Sequence, residues 1–193
     1  MARWDPDASG RLERAAIELF AQHGFAETTV PQIAARAGVT TRTFFRYFAD
    51  KREVLFAGED GLVTLFAELI GAAPPDLSAM ATLEHALKAA AEKAFEPRRE
   101  WMRRWREIVS GEPALQERGL RKQQLVVAAT AEALGGRGVD GPTAELATGM
   151  AFVAFQAAVA QWVTATTARP LTSCIGDSFS RMRQVAAGDE SHG

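Results

Sequence analysis

Two arginines four residues apart, Arg42 and Arg46, are the side chains of this 193-residue sequence best suited to bind another macromolecule. On a helix they share one face, while Phe44 and Phe48 fall on the opposite face. Guanidinium groups can bond guanine edges and phosphates, and an exposed aromatic ring can contact a thymine methyl group. The spacing therefore predicts a short helix over residues 41–48 with a buried apolar face and a basic face that reads DNA.

The residues before this segment predict a helix-turn-helix. Thr29 and Gln32 have the spacing of a capping box, which starts a first helix. Gly38 is the residue type that ends a helix with a positive φ, and Thr40 then offers a new N-cap. A helix, a turn that contains glycine and a second short helix make the motif.

The segment after the motif adds a candidate phosphate site. Asp50 and Glu53 indicate another capped helix, so Lys51 lies in its first turn, where the backbone N–H and the ammonium together suit a phosphate. The alternatives are an ordinary solvated helix face for the charged residues and core packing for Phe45 and Tyr47. We expect DNA contacts from Thr29, Thr40, Thr41, Arg42, Thr43, Phe45, Arg46, Tyr47 and Lys51.

The charge is distributed unevenly along the chain. The formal net charge is −2, which argues against indiscriminate binding of nucleic acid. Residues 28–52, however, contain five basic residues against Asp50 alone, a local charge of +4. A small basic footprint on an otherwise acidic chain favours DNA contact at one place and repels phosphates elsewhere.

Few residues suit catalysis or metal binding. Cys174 is the only cysteine, which excludes an internal disulfide and a multi-cysteine metal site. His23, His85 and His192 are scattered, and no catalytic triad motif is present. The start lacks the apolar core of a signal peptide, and no window of about 18 uncharged apolar residues is evident. We expect a cytoplasmic protein that is not an enzyme, needs no cofactor or metal, and does not bind a membrane.

Apolar residues at helical spacing, separated by glycine and proline, predict an all-α fold of about nine helices. A helix over residues 10–23 completes a three-helix head with the helix-turn-helix. A long helix over residues 50–72 then links this head to a larger helical bundle. We expect a DNA-binding domain over residues 1–55 and a ligand-binding and dimerisation domain over residues 56–193.

The last two predicted helices, residues 142–167 and 171–187, have the pattern of a dimer interface. The first is apolar on two faces, one with Leu146 and Val153 and another with Phe155 and Trp162, and such a helix must be covered on both sides. The second has a nearly coiled-coil rhythm of apolar residues. Alanines at positions 147, 151, 154 and 158 would allow close approach, so we expect these helices to pair with those of a second copy.

The string A-x-x-A-G-V-T-x-x-x-F-F-R-Y-F-x-x-K-x-x-V-L over residues 34–55, preceded by T-T-V-x-x-I-A, resembles the tetracycline-repressor (TetR) family of bacterial regulators. The resemblance is dense over residues 10–56. It implies an all-α homodimer that binds a palindromic operator in double-stranded DNA, most often as a repressor, and that responds to a small molecule. Two positions depart from the family pattern: Arg42, where a small residue is common, and Phe45, where a phosphate-binding tyrosine is common.

The ligand site is an expectation from the family together with a surplus of bulky apolar residues. A mostly apolar cavity with a few polar groups suits an apolar or aromatic effector, although any one of these residues could simply fill the core. Members of the set are Phe66, Phe95, Trp101, Trp105, Phe152, Phe155, Gln156 and Trp162.

Other functions stay open at this point. The arginines at 98, 99, 103, 104 and 106 could form a nucleic-acid or membrane surface, or one of them could lean inward to an anionic ligand. We favour solvated arginines, with Trp101, Trp105, Ile108 and Val109 facing the bundle. A helical protein that binds a small molecule but not DNA is the main rival function, and an enzyme built on the same bundle is a weaker one.

Overall fold

The computed structural model describes residues 7–188, except for the side chains of Glu59 and Asp60. This part of the chain is helical and contains no strand, which confirms the all-α prediction. A 3-10 turn covers Glu53–Phe56, and two short helical segments, Ala91–Phe95 and Glu96–Arg98, lie between the fifth and sixth helices. The α-helices are α1 (Ala8–His23), α2 (Val30–Arg36), α3 (Thr41–Tyr47), α4 (Glu59–Gly71), α5 (Ala79–Ala90), α6 (Arg99–Ser110), α7 (Pro113–Gly135), α8 (Gly141–Thr164) and α9 (Leu171–Ala187).

The chain divides into two compact units. Among the described residues, the head unit contains residues 7–60 and 103–121, and the bundle unit contains residues 61–102 and 122–188. The head unit is therefore larger than the segment 1–55 expected from the sequence, because it includes the end of α6 and the start of α7.

Long-range contacts explain why residues 103–121 belong to the head unit. Trp105 Nε1 donates a hydrogen bond of 2.8 Å to the Leu55 carbonyl, and the Trp105 ring meets Phe56 edge-on at 6.0 Å between centroids. Arg118 forms a bidentate ion pair with Glu53, with bonds of 2.6 and 2.8 Å. These contacts join the segment after the helix-turn-helix to α6 and α7.

The prediction of one continuous helix over residues 50–72 is wrong. The segment forms the 3-10 turn Glu53–Phe56, passes through a turn at residues 57–58, and only then begins α4. Val54, Leu55 and Phe56 are each at most 2% exposed. Three consecutive buried side chains cannot share one face of an α-helix, so a tighter turn surrounded by protein is the favoured solution.

The core of the bundle unit is formed largely by α5, α8 and α9. Phe155, Val159 and Trp162 of α8 are buried in it, together with Ile175 and Phe179 of α9. The alanines of α8 at positions 147, 151, 154 and 158 are also buried within the chain. The small side chains that we expected at a dimer interface therefore face the core of a single chain, where they allow helices to pack closely.

Two arginines satisfy the carboxyl-terminal carbonyls of bundle helices. Arg137 donates to the carbonyls of Ile70 and Ala73 at 3.0 and 2.9 Å, at the end of α4. Arg99 donates to the carbonyls of Trp162 and Ala165 at 2.8 and 2.7 Å, at the end of α8. Both guanidinium groups supply partners for orphan carbonyls and offset the negative end of a helix dipole.

Helix α8 is long and apolar enough to cross a membrane when judged by length and composition alone, with a mean hydropathy of 1.4 over its best window. The sequence expectation that no such window exists is therefore wrong. Half of that window is buried inside the structure. Burial of this kind is typical of a core helix in a soluble protein, so the helix is weak evidence for a membrane span.

Candidate nucleic-acid interface

The start of α2 is fixed by the predicted capping box. The Thr29 backbone N–H donates to Gln32 Oε1 at 2.8 Å, and the Gln32 N–H donates to Thr29 Oγ1 at 3.5 Å. At the other end, Gly38 adopts a φ of 68°, and the Val39 N–H bonds the Ala34 carbonyl at 2.9 Å. The positive φ at Gly38 turns the chain sharply, so that α3 begins only a few residues after α2 ends.

Helix α3 has one buried face and one exposed face, as predicted. Thr40 caps it by accepting a bond of 3.1 Å from the Thr43 N–H. Phe44 is fully buried and Phe48 is 6% exposed, and their rings are 5.5 Å apart between centroids. These two rings hold α3 against the head, so the rotation of the helix about its own axis is fixed.

The opposite face of α3 presents polar and aromatic groups to solvent. Arg42 and Arg46 are exposed, and Phe45 is 55% exposed. The Arg46 guanidinium lies 4.9 Å from the centre of the Tyr47 ring and donates to the Tyr47 hydroxyl at 3.2 Å. The Thr43 and Thr40 hydroxyls are 3.0 Å apart. The structure thus brings together donors, acceptors and an apolar ring on one short helix, which can match base edges in a major groove.

Lys51 does not extend this surface. Its ammonium donates to the carbonyls of Phe25, Ala26 and Thr28 at 2.7, 3.0 and 2.9 Å, and it lies 4.4 Å from the centre of the Phe25 ring. An ammonium has three donors, so these carbonyls use its full capacity. The expected phosphate contact through this group is therefore replaced by a contact that fastens the loop between α1 and α2.

Most of the other basic groups in residues 28–52 are also engaged within the head. Arg36 forms an ion pair with Glu18 at 3.0 Å, and Arg52 forms one with Asp50 at 2.6 Å. Arg42 makes no hydrogen bond or ion pair with the described residues. The positive charge available to a DNA phosphate or base is thus concentrated on α3.

Asp50 organises the chain as it leaves α3. Its carboxylate accepts bonds from the Arg52 side chain and from the backbone N–H groups of Arg52 and Glu53. The hydrogen bond from the Arg52 side chain, followed by these backbone donors, holds the pKa of Asp50 below its usual value. Asp50 therefore fixes the turn into residues 53–56, although the N-cap position of that 3-10 turn is Arg52 and not Asp50 as the sequence predicts.

Thr29 and Thr41 are the other two threonines expected to contact DNA, and they differ in their exposure and in the bonding of their hydroxyls. Thr29 is exposed, and its hydroxyl is occupied by the capping box. Thr41 is half-buried at the first position of α3. Thr41 therefore presents less surface than Arg42 or Phe45, and Thr29 would have to give up a capping contact to bond a phosphate.

The residues expected to bind a ligand are dispersed in the structure. Trp105 belongs to the head unit, whereas the other residues of the set belong to the bundle unit. Phe95 and Phe155 are buried and meet edge-on at 5.2 Å between ring centroids, and Trp162 is 2% exposed. Most of these rings fill core, because large apolar side chains gain most from full burial.

Two residues of that set, Phe66 and Phe152, lie beside open space. Phe152 borders both a groove and a small internal cavity, and Phe66 borders the cavity. Gln156 donates to Gln123, which lines the groove, at 2.6 Å. Trp101 is half-buried, with the Arg98 guanidinium 4.2 Å from the centre of its ring. Phe152 is thus the residue of the set that borders both spaces, and the ligand site itself stays a prediction.

No group of three or more His, Cys, Asp or Glu side chains that could hold a metal ion occurs among residues 7–188. Cys174 is buried, and His23 and His85 are exposed. His192 lies outside the described residues.

Three contacts of the head were not found from the sequence. They are the Glu53–Arg118 ion pair, the Trp105 bond to Leu55 and the Lys51 contact with three carbonyls. Each joins residues at least 23 positions apart. Local patterns do not encode such pairings, and the expectation that Trp105 faces the bundle is wrong, because its ring and Nε1 contact Phe56 and Leu55 in the head unit.

Comparison with known proteins agrees with this geometry. Residues 13–57 match the sequence profile described as bacterial regulatory proteins, tetR family. The chain is 54% identical over 39 residues to a provisionally named mycofactocin biosynthesis transcriptional regulator, MftR, from Mycobacterium tuberculosis, which covers 20% of each protein. It is 35% identical over 79 residues to the HTH-type transcriptional regulator TcmR from Streptomyces glaucescens, which covers 41% of this chain and 35% of TcmR.

Solved structures extend the likeness to nearly the whole chain at the level of the fold. FadR from Thermus thermophilus, a TetR-family transcriptional repressor in complex with lauroyl-CoA, shares 22% identity and a TM-score of 0.58, with 96% of each chain covered. SmeT, the repressor of a multidrug efflux pump of Stenotrophomonas maltophilia, shares 19% identity and a TM-score of 0.57, with 92% of this chain and 89% of SmeT covered.

The sequence likeness spans only a fifth to about a third of the length of the two curated relatives. The matched profile describes regulatory proteins rather than enzymes. The segment that carries α2, the turn at Gly38 and α3 is thus similar to the tetR family of bacterial regulatory proteins.

Proposed function

We propose that this protein is a cytoplasmic, ligand-responsive transcriptional regulator that binds a palindromic operator as a homodimer, most simply as a repressor. The observation that carries the proposal is the division of α3 into two faces. Phe44 and Phe48 anchor one face in the head, while Arg42, Phe45 and Arg46 project from the other. An outward basic face on a helix of this size fits a DNA major groove.

Arg42 and Arg46 are the residues that we assign to base or phosphate contacts. Phe45 is suited to an apolar contact such as a thymine methyl group, and Thr40, Thr43 and Tyr47 offer hydroxyls at the edge of the same face. Lys51 contributes indirectly, by holding the loop before α2 in place.

An uncovered apolar face on α8 supports the homodimer. Leu146 and Val153 are 67% and 69% exposed, Ala157 is exposed and Met150 is half-buried. These positions recur at helical spacing, so they form one stripe. Since the opposite face of α8 fills the core of the chain, a second copy related by two-fold symmetry is the simplest cover for this stripe.

Regulation would follow from a difference in affinity. Two copies of α3 would enter successive major grooves about 34–36 Å apart. A ligand that binds better to a state with another spacing would release the DNA, to the extent of that difference. The bundle unit is the part of the chain to which we assign the ligand.

Selection of bound fragments from random double-stranded DNA tests the proposal. We expect a consensus of two inverted half-sites with centres about 10–10.5 base pairs apart. Arg42→Ala/Arg46→Ala protein is the negative control, because it keeps the buried face of α3. Absence of any enriched sequence with the natural protein would favour a helical small-molecule-binding protein that does not engage DNA.

A further inference from the structure

A small internal cavity, of about 10 Å³, lies between α4, α5, α7 and α8 in the bundle unit. Phe66, Leu83 and Phe152 contribute apolar wall, and Thr130 and Thr148 are the polar residues of its lining. None of the described residues that line the cavity is charged. The site therefore suits an uncharged occupant, because a charge that is buried without a partner is very costly.

The two threonines use their hydroxyl groups differently. Thr130 Oγ1 donates to the Val126 carbonyl, one turn earlier on α7, at 2.7 Å, so it keeps only its capacity to accept. Thr148 is 1% exposed, and its hydroxyl has no hydrogen-bond partner within the described part of the chain. An unpaired buried hydroxyl is costly. The structure thus indicates that an acceptor for the Thr148 proton comes from outside the chain.

Phe152 is the part of the wall that can move. The other described residues that line the cavity are buried, whereas Phe152 is half-buried and also borders the groove between α7 and α8. Side chains on a helix lean toward its N-terminus, so the Phe152 ring leans toward Thr148, one turn earlier. If this ring turns away, the space that it vacates beside Thr148 suits a ligand with one six-membered ring.

We propose that this cavity is the centre of the effector site and that it binds a small, uncharged phenol. The ligand ring occupies the space from which Phe152 turns, beside Phe66. The phenol oxygen accepts the hydrogen bond from Thr148, and the phenol proton is donated to Thr130. This inference rests on the proposed function, because it names the class of ligand that the regulator detects.

Other head groups match these two threonines less well. A ketone or ether oxygen can accept from Thr148, but it has no proton for Thr130. A carboxylate or an ammonium would be buried without a countercharge. An aromatic body suits the wall, because contacts with the rings of Phe66 and Phe152 are favourable beyond the area that they bury. A neutral hydroxyl on a single aromatic ring therefore satisfies the whole lining.

One buried water is the alternative partner of Thr148, because a cavity of about 10–15 Å³ can hold one. Buried waters make about three hydrogen bonds, and the side chains of the described lining offer only the two threonine hydroxyls. A water that accepts from Thr148 and donates to Thr130 would keep a second proton unpaired against an apolar wall. A phenol has only one proton to place.

Phenol, toluene and benzoate test this assignment, because phenol and toluene have nearly the same shape and benzoate carries a charge. Each is titrated into protein that is isotope-labelled at the isoleucine and leucine methyl groups. We expect phenol, which is uncharged at pH 7, to shift the methyl signals of Ile70, Leu83 and Leu87, which line the cavity. Leu171, buried in the same unit but outside the lining, is the internal control. Benzoate at the same concentration should shift none of them.

Thr148→Val isolates the hydroxyl. It should weaken phenol binding about 3- to 10-fold, as expected for the loss of one hydrogen bond, and should not weaken toluene binding. Thr164→Val, at an exposed position of the same helix, is the matched control and should change neither. The melting temperature of the Thr148→Val protein should stay the same or rise, because a methyl group replaces an unpaired buried hydroxyl.

Phe152→Ala tests the moving wall. It should tighten the binding of both phenol and toluene, because no ring has to be displaced before the ligand enters. If the three methyl signals fail to shift in both the natural protein and the Phe152→Ala protein, the inference is overturned. Equal weakening of phenol and toluene by Thr148→Val would also overturn it, since that result describes a purely structural threonine.

A crystal structure with phenol decides between the ligand and the water. An ordered water that bridges Thr130 and Thr148 while phenol lies elsewhere would overturn the inference. Phenol should also weaken binding to the selected operator, and an unchanged operator affinity would overturn the assignment as an effector site. DNA selection without phenol tests the proposed function separately, so that the failure of one remains distinguishable from the failure of the other.

Discussion

Lys51 gives the sharpest single test of how the head is held together. Methionine at this position keeps most of the length of the side chain but removes the ammonium that bonds the carbonyls of Phe25, Ala26 and Thr28. The structure therefore predicts a loss of stability from Lys51→Met, whereas a phosphate-binding role would predict a loss of charge at the DNA interface.

The magnitude follows from the three bonds. A hydrogen bond from a charged group contributes about 1.5–3 kcal/mol. The carbonyl of Ala26 is exposed and can rebind water, so the part-buried bonds to Phe25 and Thr28 account for most of the loss. We expect the free energy of unfolding to fall by about 3 kcal/mol, since such losses are not fully additive. For a chain of this length, that corresponds to a fall in melting temperature of about 6–12 °C.

Calorimetry and DNA binding at several salt concentrations measure the two effects separately. At a temperature where the variant is folded, Lys51→Met should keep the salt dependence of the natural protein, because each lost phosphate contact would reduce the slope by about 0.9. Arg42→Met is the matched control, and it should leave the melting temperature unchanged because Arg42 is exposed. An unchanged melting temperature together with a shallower salt slope for Lys51→Met would refute the reasoning.

Three further predictions concern other parts of the chain. Arg118→Met should destabilise the protein by about 1–3 kcal/mol in urea unfolding, because it leaves a half-buried Glu53 carboxylate unpaired. Arg121→Met breaks an exposed ion pair with Glu117 on the same helix and should lower the free energy of unfolding by less than about 1 kcal/mol. Equal losses for the two variants would contradict the claim that the Arg118 pair stabilises the head. Because the pKa of Asp50 is lowered in the folded state, its contribution to stability is present above its ordinary value of about 3.9 and is lost as the pH falls through the folded value. Asp50→Asn should therefore lower stability at pH 7 and shrink the difference from the natural protein below about pH 3.9; a gap of constant size would argue against an ionised cap. Leu146→Glu should convert the dimer to monomers in sedimentation experiments, whereas Leu125→Glu on α7, exposed to a similar degree, should not; an intact Leu146→Glu dimer would place the interface elsewhere.

The helix-turn-helix could be predicted from the sequence because its determinants are local. The Thr29 and Gln32 capping box, the turn at Gly38 and the Thr40 cap each depend on residues a few positions apart. The faces of α3 follow from helical periodicity alone. The exposed arginines and the buried phenylalanines were therefore predicted correctly, as was the all-α fold.

The segment after the motif could not be predicted in the same way. Periodicity favours one helix over residues 50–72, but Leu55 bonds a tryptophan 50 residues away and Glu53 pairs with an arginine 65 residues away. The partners of the Lys51 ammonium are likewise decided by tertiary structure. A sequence pattern does not show whether that group remains available to a DNA phosphate or bonds carbonyls of a nearby loop.

The bundle shows a further limit of sequence patterns. Small side chains on α8 indicate close packing but do not identify the neighbour, which in the structure is the core of the same chain. Bulky aromatic residues indicate burial, and most of them fill core rather than line a cavity. The open groove is instead lined largely by small residues and glutamates, a composition that resembles an ordinary solvated surface when read from the sequence.

The most direct test of the central claim, that the outer face of α3 reads bases, is a repeated selection from random DNA with the Arg46→Ala protein. Arg36→Ala, which removes an ion-paired arginine outside α3, serves as the control. We predict that Arg46→Ala relaxes the consensus at one position in each half-site, at a cost of about 1–3 kcal/mol, and leaves the other positions intact. A consensus that is unchanged by Arg46→Ala, or altered equally by Arg36→Ala, would contradict the account.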